Sequence, residues 1–183
     1  QKRADKAATQ GLMFSVLHGF LIMALCLIGM PAFLGTFTSR QSVVDLGVEY
    51  SNIVFLFAVI VNVGITYEKI FQSVGRMKET MICMVIGFVA NIALDPMLIF
   101  GIGFFPRMGI RGAAVATGIG QVLTLLAYIV FDRIKPLPVK LSRESIRLDK
   151  EVCGRMYGIG IPATLNMALP SVLISALNGI LSV

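Results

Sequence analysis

Residues 80–106 read TMICMVIGFVANIALDPMLIFGIGFFP. Asp95 is the single charged side chain in this run. Crossing about 30 Å of hydrocarbon takes roughly 20 apolar residues in a helix, and this run is long enough. It shows none of the short polar–apolar alternation that marks the strands of a membrane barrel. A helical span with one carboxylate inside it is therefore the starting point.

Four further apolar segments flank it. Residues 11–34, 47–67 and 112–131 carry no formal charge between Gly11 and Leu34, Ser51 and Tyr67, and Gly112 and Phe131. Residues 156–183 carry none either. The chain as a whole has 183 residues, 56% of them hydrophobic and 14% charged, with a mean hydropathy of +0.84. Soluble domains hold about 25% charged residues, so this composition is that of an all-α polytopic membrane protein.

The net charge of +6 also needs a place. Stretches 1–10, 68–79 and 132–155 hold 3, 3 and 7 of the 16 Lys and Arg residues. The intervening stretches hold only Arg40, Arg107 and Arg111. Lys and Arg concentrate in cytoplasmic loops, so the alternation predicts five spans in a cell membrane with residue 1 on the cytoplasmic side. Basic residues beside apolar runs serve the lipid bilayer rather than nucleic acid. Within 132–155, Pro136 and Pro138 end the preceding helix. Leu141, Leu148, Val152 and Met156 then recur at a spacing that predicts a short amphipathic helix in a basic linker.

Cys26, Cys83 and Cys153 form no CxxC or Cys/His pattern and are read as small buried hydrophobes. No nucleophile–base pair, HExxH motif or phosphate loop is present, which removes the support for an enzyme and for a cofactor. The chain begins at Gln1 without Met and ends inside an apolar run, so further sequence is expected on both sides.

Candidate chemistry centres on Asp95. A carboxylate in mid-membrane costs about 2.5–3.5 kcal/mol on insertion scales and is usually retained for ion or proton handling. Asn91 lies four residues earlier on the same helix face. Pro96 withholds the N–H that the Ile92 carbonyl would accept, which predicts a bend. Carboxylate, amide and freed carbonyl make an oxygen-rich spot for Na⁺, or for a proton on a carboxyl of raised pKa. Thr117 falls at a similar depth in the next span, behind a small-residue stripe of Gly112, Ala116 and Gly120. Pro162 and Pro170 predict a bent last span, in which Asn166 and Asn178 are candidates for a substrate cavity. His18 reads as bonded to a neighbouring carbonyl, and Glu68 with Lys69 as an interfacial ion cluster.

Three stretches carry a family resemblance. They are Gly75-Arg76-Met77-Lys78-Glu79-Thr80, then Asn91-Ile92-Ala93-Leu94-Asp95-Pro96-Met97-Leu98-Ile99-Phe100-Gly101, then Met108-Gly109-Ile110-Arg111-Gly112-Ala113-Ala114-Val115-Ala116-Thr117. Together they resemble the MATE family of multidrug and toxin extrusion antiporters. The resemblance implies a twelve-helix transporter of two six-helix lobes, of which this chain matches helices three to seven. Residues 1–131 would then belong to the N-terminal lobe, 132–155 to the cytoplasmic linker, and 156–183 to the first helix of the C-terminal lobe. It also implies a coupling site of Asp95, Asn91, Thr117 and Tyr50, with Asp95 and Asn91 holding Na⁺ in a Na⁺-coupled member. The family's helix-one Asp would lie before Gln1. The acidic residue some members carry on helix seven has no counterpart between Met156 and Val183.

The expected function is cation-coupled efflux, driven by Na⁺ or H⁺, of organic, cationic and amphipathic drug-like compounds by a monomeric full-length protein. A flippase of lipid-linked precursors from the same superfamily and a non-transporting membrane scaffold subunit are the alternatives.

Overall fold

The computed structural model describes residues 2–37, 40–103, 105–139 and 149–181. These form six helices: α1 Lys2–Phe37, α2 Gln41–Leu56, α3 Ala58–Ser73, α4 Met77–Phe100, α5 Ile110–Ile134 and α6 Lys150–Leu181. Among the described residues, α1, α4, α5 and α6 are each long and apolar enough to cross a membrane. The α2–α3 pair passes the same test jointly, although its helices are bent by 51°. The chain divides into one unit of residues 1–10 with 141–183 and another of 11–140.

The segment expected as one span at 47–67 is thus two helices. The break falls at Phe57, whose N–H donates to the Val54 carbonyl at 3.0 Å, a tight closure that ends α2. No proline or glycine marks the position. Its cause is tertiary: a Cβ on Gly118 of α5 would lie 2.3 Å from the Phe57 ring. The bare glycine admits the ring, and α3 leaves at a new angle.

α4 and α5 pack through backbone rather than side chains. A Cβ on Gly112 would lie 2.5 Å from the Leu98 carbonyl oxygen, and one on Gly120 3.0 Å from that of Gly87. Gly112, Ala114, Ala116, Gly118 and Gly120 are all buried. Two apolar helices gain nothing from leaving lipid for each other, so close approach at small residues supplies the attraction. The α4–α5 turn adds to it. Gly101 ends α4 with φ +73°, and the chain folds back so that Met108 N–H reaches the Leu98 carbonyl at 3.0 Å. α4 itself is one helix through Pro96.

At the opposite end of this unit, Gly75 takes φ +78°, and Arg76 N–H closes α3 onto the Phe71 carbonyl at 2.9 Å. The Arg76 guanidinium donates to the carbonyls of Lys135 and Pro136 just past α5. It also lies over the Phe71 ring, 5.9 Å from the centroid. Phe71 is fully buried and packs on Tyr128 with 5.2 Å between centroids. One arginine therefore ties the ends of α3, α4 and α5 together.

In the other unit, Lys6 Nζ pairs with Asp149 Oδ2 at 3.0 Å, and Arg3 with Glu151 at 3.7 Å. Lys6 holds the half-buried Asp149 carboxyl below its ordinary pKa. α6 begins at Lys150, inside the stretch read from sequence as linker, and runs as one helix through Pro162 and Pro170. The amphipathic pattern at Leu141 and Leu148 lies outside the described residues.

Candidate functional site

α4 presents Asn91 and Asp95 one turn apart, and the close α4–α5 contact brings Thr117 to them. Asn91 sits between the other two. Turned one way, its Nδ2 donates to Thr117 Oγ1 at 3.4 Å. Turned the other way, Nδ2 donates to Asp95 Oδ2 at 3.3 Å and the amide oxygen accepts from Thr117 N–H at 3.2 Å. The second orientation satisfies both ends of the amide and gives a carboxylate the donor it needs. The Thr117 hydroxyl donates to the Ala113 carbonyl at 3.0 Å, which leaves its lone pairs to accept. Asp95 Oδ1 is buried and meets no donor among the described residues. A buried carboxylate oxygen in that state has room for a further partner.

Not every residue expected at the site joins it. Tyr50 is half-buried on α2, and its hydroxyl makes no hydrogen bond among the described residues. Its neighbour Glu49 instead pairs with Arg111 at the start of α5. Asn166 is exposed on α6, and the Asn178 side chain lies outside the described residues. His18 Nδ1 donates to the Phe14 carbonyl of its own helix at 2.7 Å. Cys83 is buried, and all three cysteines are free. No group of three or more His, Cys, Asp or Glu side chains gathers among the described residues.

Sequence reasoning missed what lies beside the triad. A groove of about 320 Å³ opens between α3, α4 and α5, with Asn91 and Thr117 at one end and Glu68 in its lining. Gln121 and Thr124 continue the line of Thr117 along α5. The Thr124 hydroxyl fills the place of a Cβ on Gly87, 1.9 Å from it. The signal was present as polar residues at i, i+4 and i+7 on an otherwise apolar helix.

The MatE family profile matches residues 1–97. This chain belongs to the MatE family. The probable multidrug resistance protein YoeA of Bacillus subtilis is 29% identical over 93% of this chain and 38% of its own length. The multidrug export protein MepA of Staphylococcus saprophyticus is 32% identical over 70% of this chain and 28% of its own. A MOP superfamily transporter from Pyrococcus furiosus, described as having a binding pocket of reverse polarity, superposes with a TM-score of 0.87. It is 26% identical, over 98% of this chain and 39% of that one. An outward-facing multidrug resistance MATE family transporter gives a TM-score of 0.86 at 26% identity, over the same shares. The chain therefore spans under two-fifths of the length of these relatives, and its fold is that of MATE transporters.

Proposed function

We propose that the full-length protein is a cation-coupled multidrug exporter in which Asp95, Asn91 and Thr117 form the coupling site, with Na⁺ or H⁺ entering as the drug leaves. The observation that carries this is the buried Oδ1 of Asp95, which meets no donor among the described residues, beside an amide that can turn between Asp95 and Thr117. Residues 1–131 act as part of the N-terminal lobe, 132–155 as the cytoplasmic linker and 156–183 as the start of the second lobe, with residue 1 inside. The exported compounds are organic, cationic and amphipathic, a reading supported by the multidrug export named for the MepA relative and the multidrug resistance named for YoeA.

The amide answers either state of the carboxyl. An ionised Asp95 takes the Asn91 Nδ2–H donor, and Na⁺ adds to the remaining oxygens. A protonated Asp95 offers its O–H to the Asn91 oxygen, which turns Nδ2 toward Thr117 Oγ1. Loading the carboxyl thus changes a bond between α4 and α5, and through that contact the packing that opens or closes the drug cavity. Tyr50 and Pro96 have their place at the outer part of this lobe, and Asn166 and Asn178 on the substrate side of the second, with Pro162 and Pro170 as points where its helix bends during transport.

Drug efflux in everted vesicles, driven in turn by a Na⁺ and a pH gradient, tests the proposal. Gradient-driven efflux in the parent and its loss in Asp95→Asn are expected, and the effective gradient names the ion. Undiminished efflux in Asp95→Asn contradicts the role of the carboxylate. A folded parent that moves no drug under either gradient but translocates a lipid-linked precursor favours the flippase.

A further inference from the structure

The groove beside the triad reaches well beyond it. Each of its three walls contributes about two helical turns: Val61 to Glu68 on α3, Met84 to Asn91 on α4, and Thr117 to Thr124 on α5. At 1.5 Å per residue, each stretch is about 10 Å long. Asn91 and Thr117 stand at one end and Glu68 at the other, because α4 runs antiparallel to both neighbours. Between them, the Gln121 amide and the Thr124 hydroxyl line the groove at steps of about 6 and 4.5 Å along α5.

Polar side chains in a membrane span face a partner or water. The groove, about 320 Å³, is roomy enough to admit several waters. Five polar side chains on three helices supply the two to four contacts that an ordered water needs. Gly87 makes the space, since a methyl there would occupy the Thr124 hydroxyl position.

Glu68 suits the far end. Its side chain is 21% exposed beside the 64% exposed Lys69. It accepts from Gln72 Nε2 at 2.8 Å and from Lys69 Nζ at 3.2 Å. Both contacts fall on Oε1, and Glu68 is the one charged side chain among the described residues that line the groove.

We propose that this groove is the hydrated route by which the coupling cation passes between the Asp95 site and the cytoplasm, with Gln121 and Thr124 as way-stations and Glu68 as the mouth. The route rests on the coupling role of Asp95, and its test separates the two. Single cysteines placed at 121 and 124 (Gln121→Cys, Thr124→Cys) in the full-length parent are exposed, in everted vesicles, to a membrane-impermeant cationic thiosulfonate. Both are expected to react above the parent's own cysteines, whereas Ile92→Cys, on the exposed apolar face of α4, stays unmodified. In right-side-out vesicles, both are expected to be protected. Glu68→Gln is expected to slow gradient-driven efflux at least about tenfold with the drug KM unchanged, and Glu68→Asp to restore most of it. Unreactive cysteines at 121 and 124, while Arg133→Cys reacts, overturn the route. So does reaction only from the outer face, or an unchanged rate in Glu68→Gln. These results leave the coupling site standing if Asp95→Asn has abolished gradient-driven efflux; an active Asp95→Asn removes the coupling site itself.

Discussion

α5 and α6 are both long apolar helices with several glycines; within their own units, those of α5 meet close neighbours and those described on α6 meet none. On α5, Gly112, Gly118 and Gly120 are pressed against the Leu98 carbonyl, the Phe57 ring and the Gly87 carbonyl. On α6, Gly154, Gly158 and Gly160 have open space where a Cβ would stand. Hydropathy alone does not rank burial across the helices. α1, with a mean hydropathy of 2.3 over its best window, is 11% buried there, while α5 at 1.9 is 28% buried. In an apolar solvent, closeness of approach decides which helices form a core, and small residues decide closeness. The polar triad belongs to the close pair for the same reason: only there can an amide on one helix reach a hydroxyl on the next.

Two asparagines give the largest test of that contrast. Asn91→Ala removes a hydrogen bond to a charged group, worth about 1.5–3 kcal/mol, so coupling-ion affinity should fall about 10- to 100-fold. Asn166→Ala on α6 should leave ion affinity unchanged, as read from the ion dependence of efflux. Equal effects at the two sites would dissolve the distinction.

The glycines come next. Gly112→Ala forces a methyl against the Leu98 backbone and should cost about 1–3 kcal/mol, lowering the melting temperature of the purified full-length protein. Gly158→Ala, which meets open space within this chain, should cost less than Gly112→Ala. A loss at Gly158 as large as that at Gly112 would show that α6 also has close neighbours.

The arginine clasp and the Lys6–Asp149 pair should follow in that order. Arg76→Ala should cost about 1–3 kcal/mol through two charged hydrogen bonds and the Phe71 contact, and Arg76→Lys should recover only part of it. Asp149→Asn should have a small effect, visible at neutral pH in the same melting assay. The folded-state pKa of Asp149 is lowered from 3.8, so its contribution is present above that value. It disappears as the pH falls through the lowered one.

Much of this was legible in the sequence. The apolar lengths dictated a helical membrane protein, and the Asn91–Asp95–Pro96 helix with the Gly112–Thr117 run pointed to the family that the comparisons establish. The pairing of Asn91 with Asp95 followed from helical periodicity; position in the next span put Thr117 at a similar depth, and the resemblance joined it to them. The break at Phe57 was illegible because its cause is a glycine sixty-one residues later on another helix. The groove needed three helices in register, and Glu68 sat in a charged stretch that reads as ordinary interface until its neighbours are known. Tyr50 shows the converse: the resemblance assigns it to the site, while the structure gives its hydroxyl no bond there.

The most direct test of the coupling site is chemical. A hydrophobic carbodiimide modifies a carboxyl that is protonated in an apolar setting. In the purified full-length protein, it should label Asp95, and Na⁺ or a cationic drug should suppress the labelling by occupying or remodelling the site. Labelling of Asp95 that neither Na⁺ nor drug alters would contradict a carboxylate that binds the coupling ion.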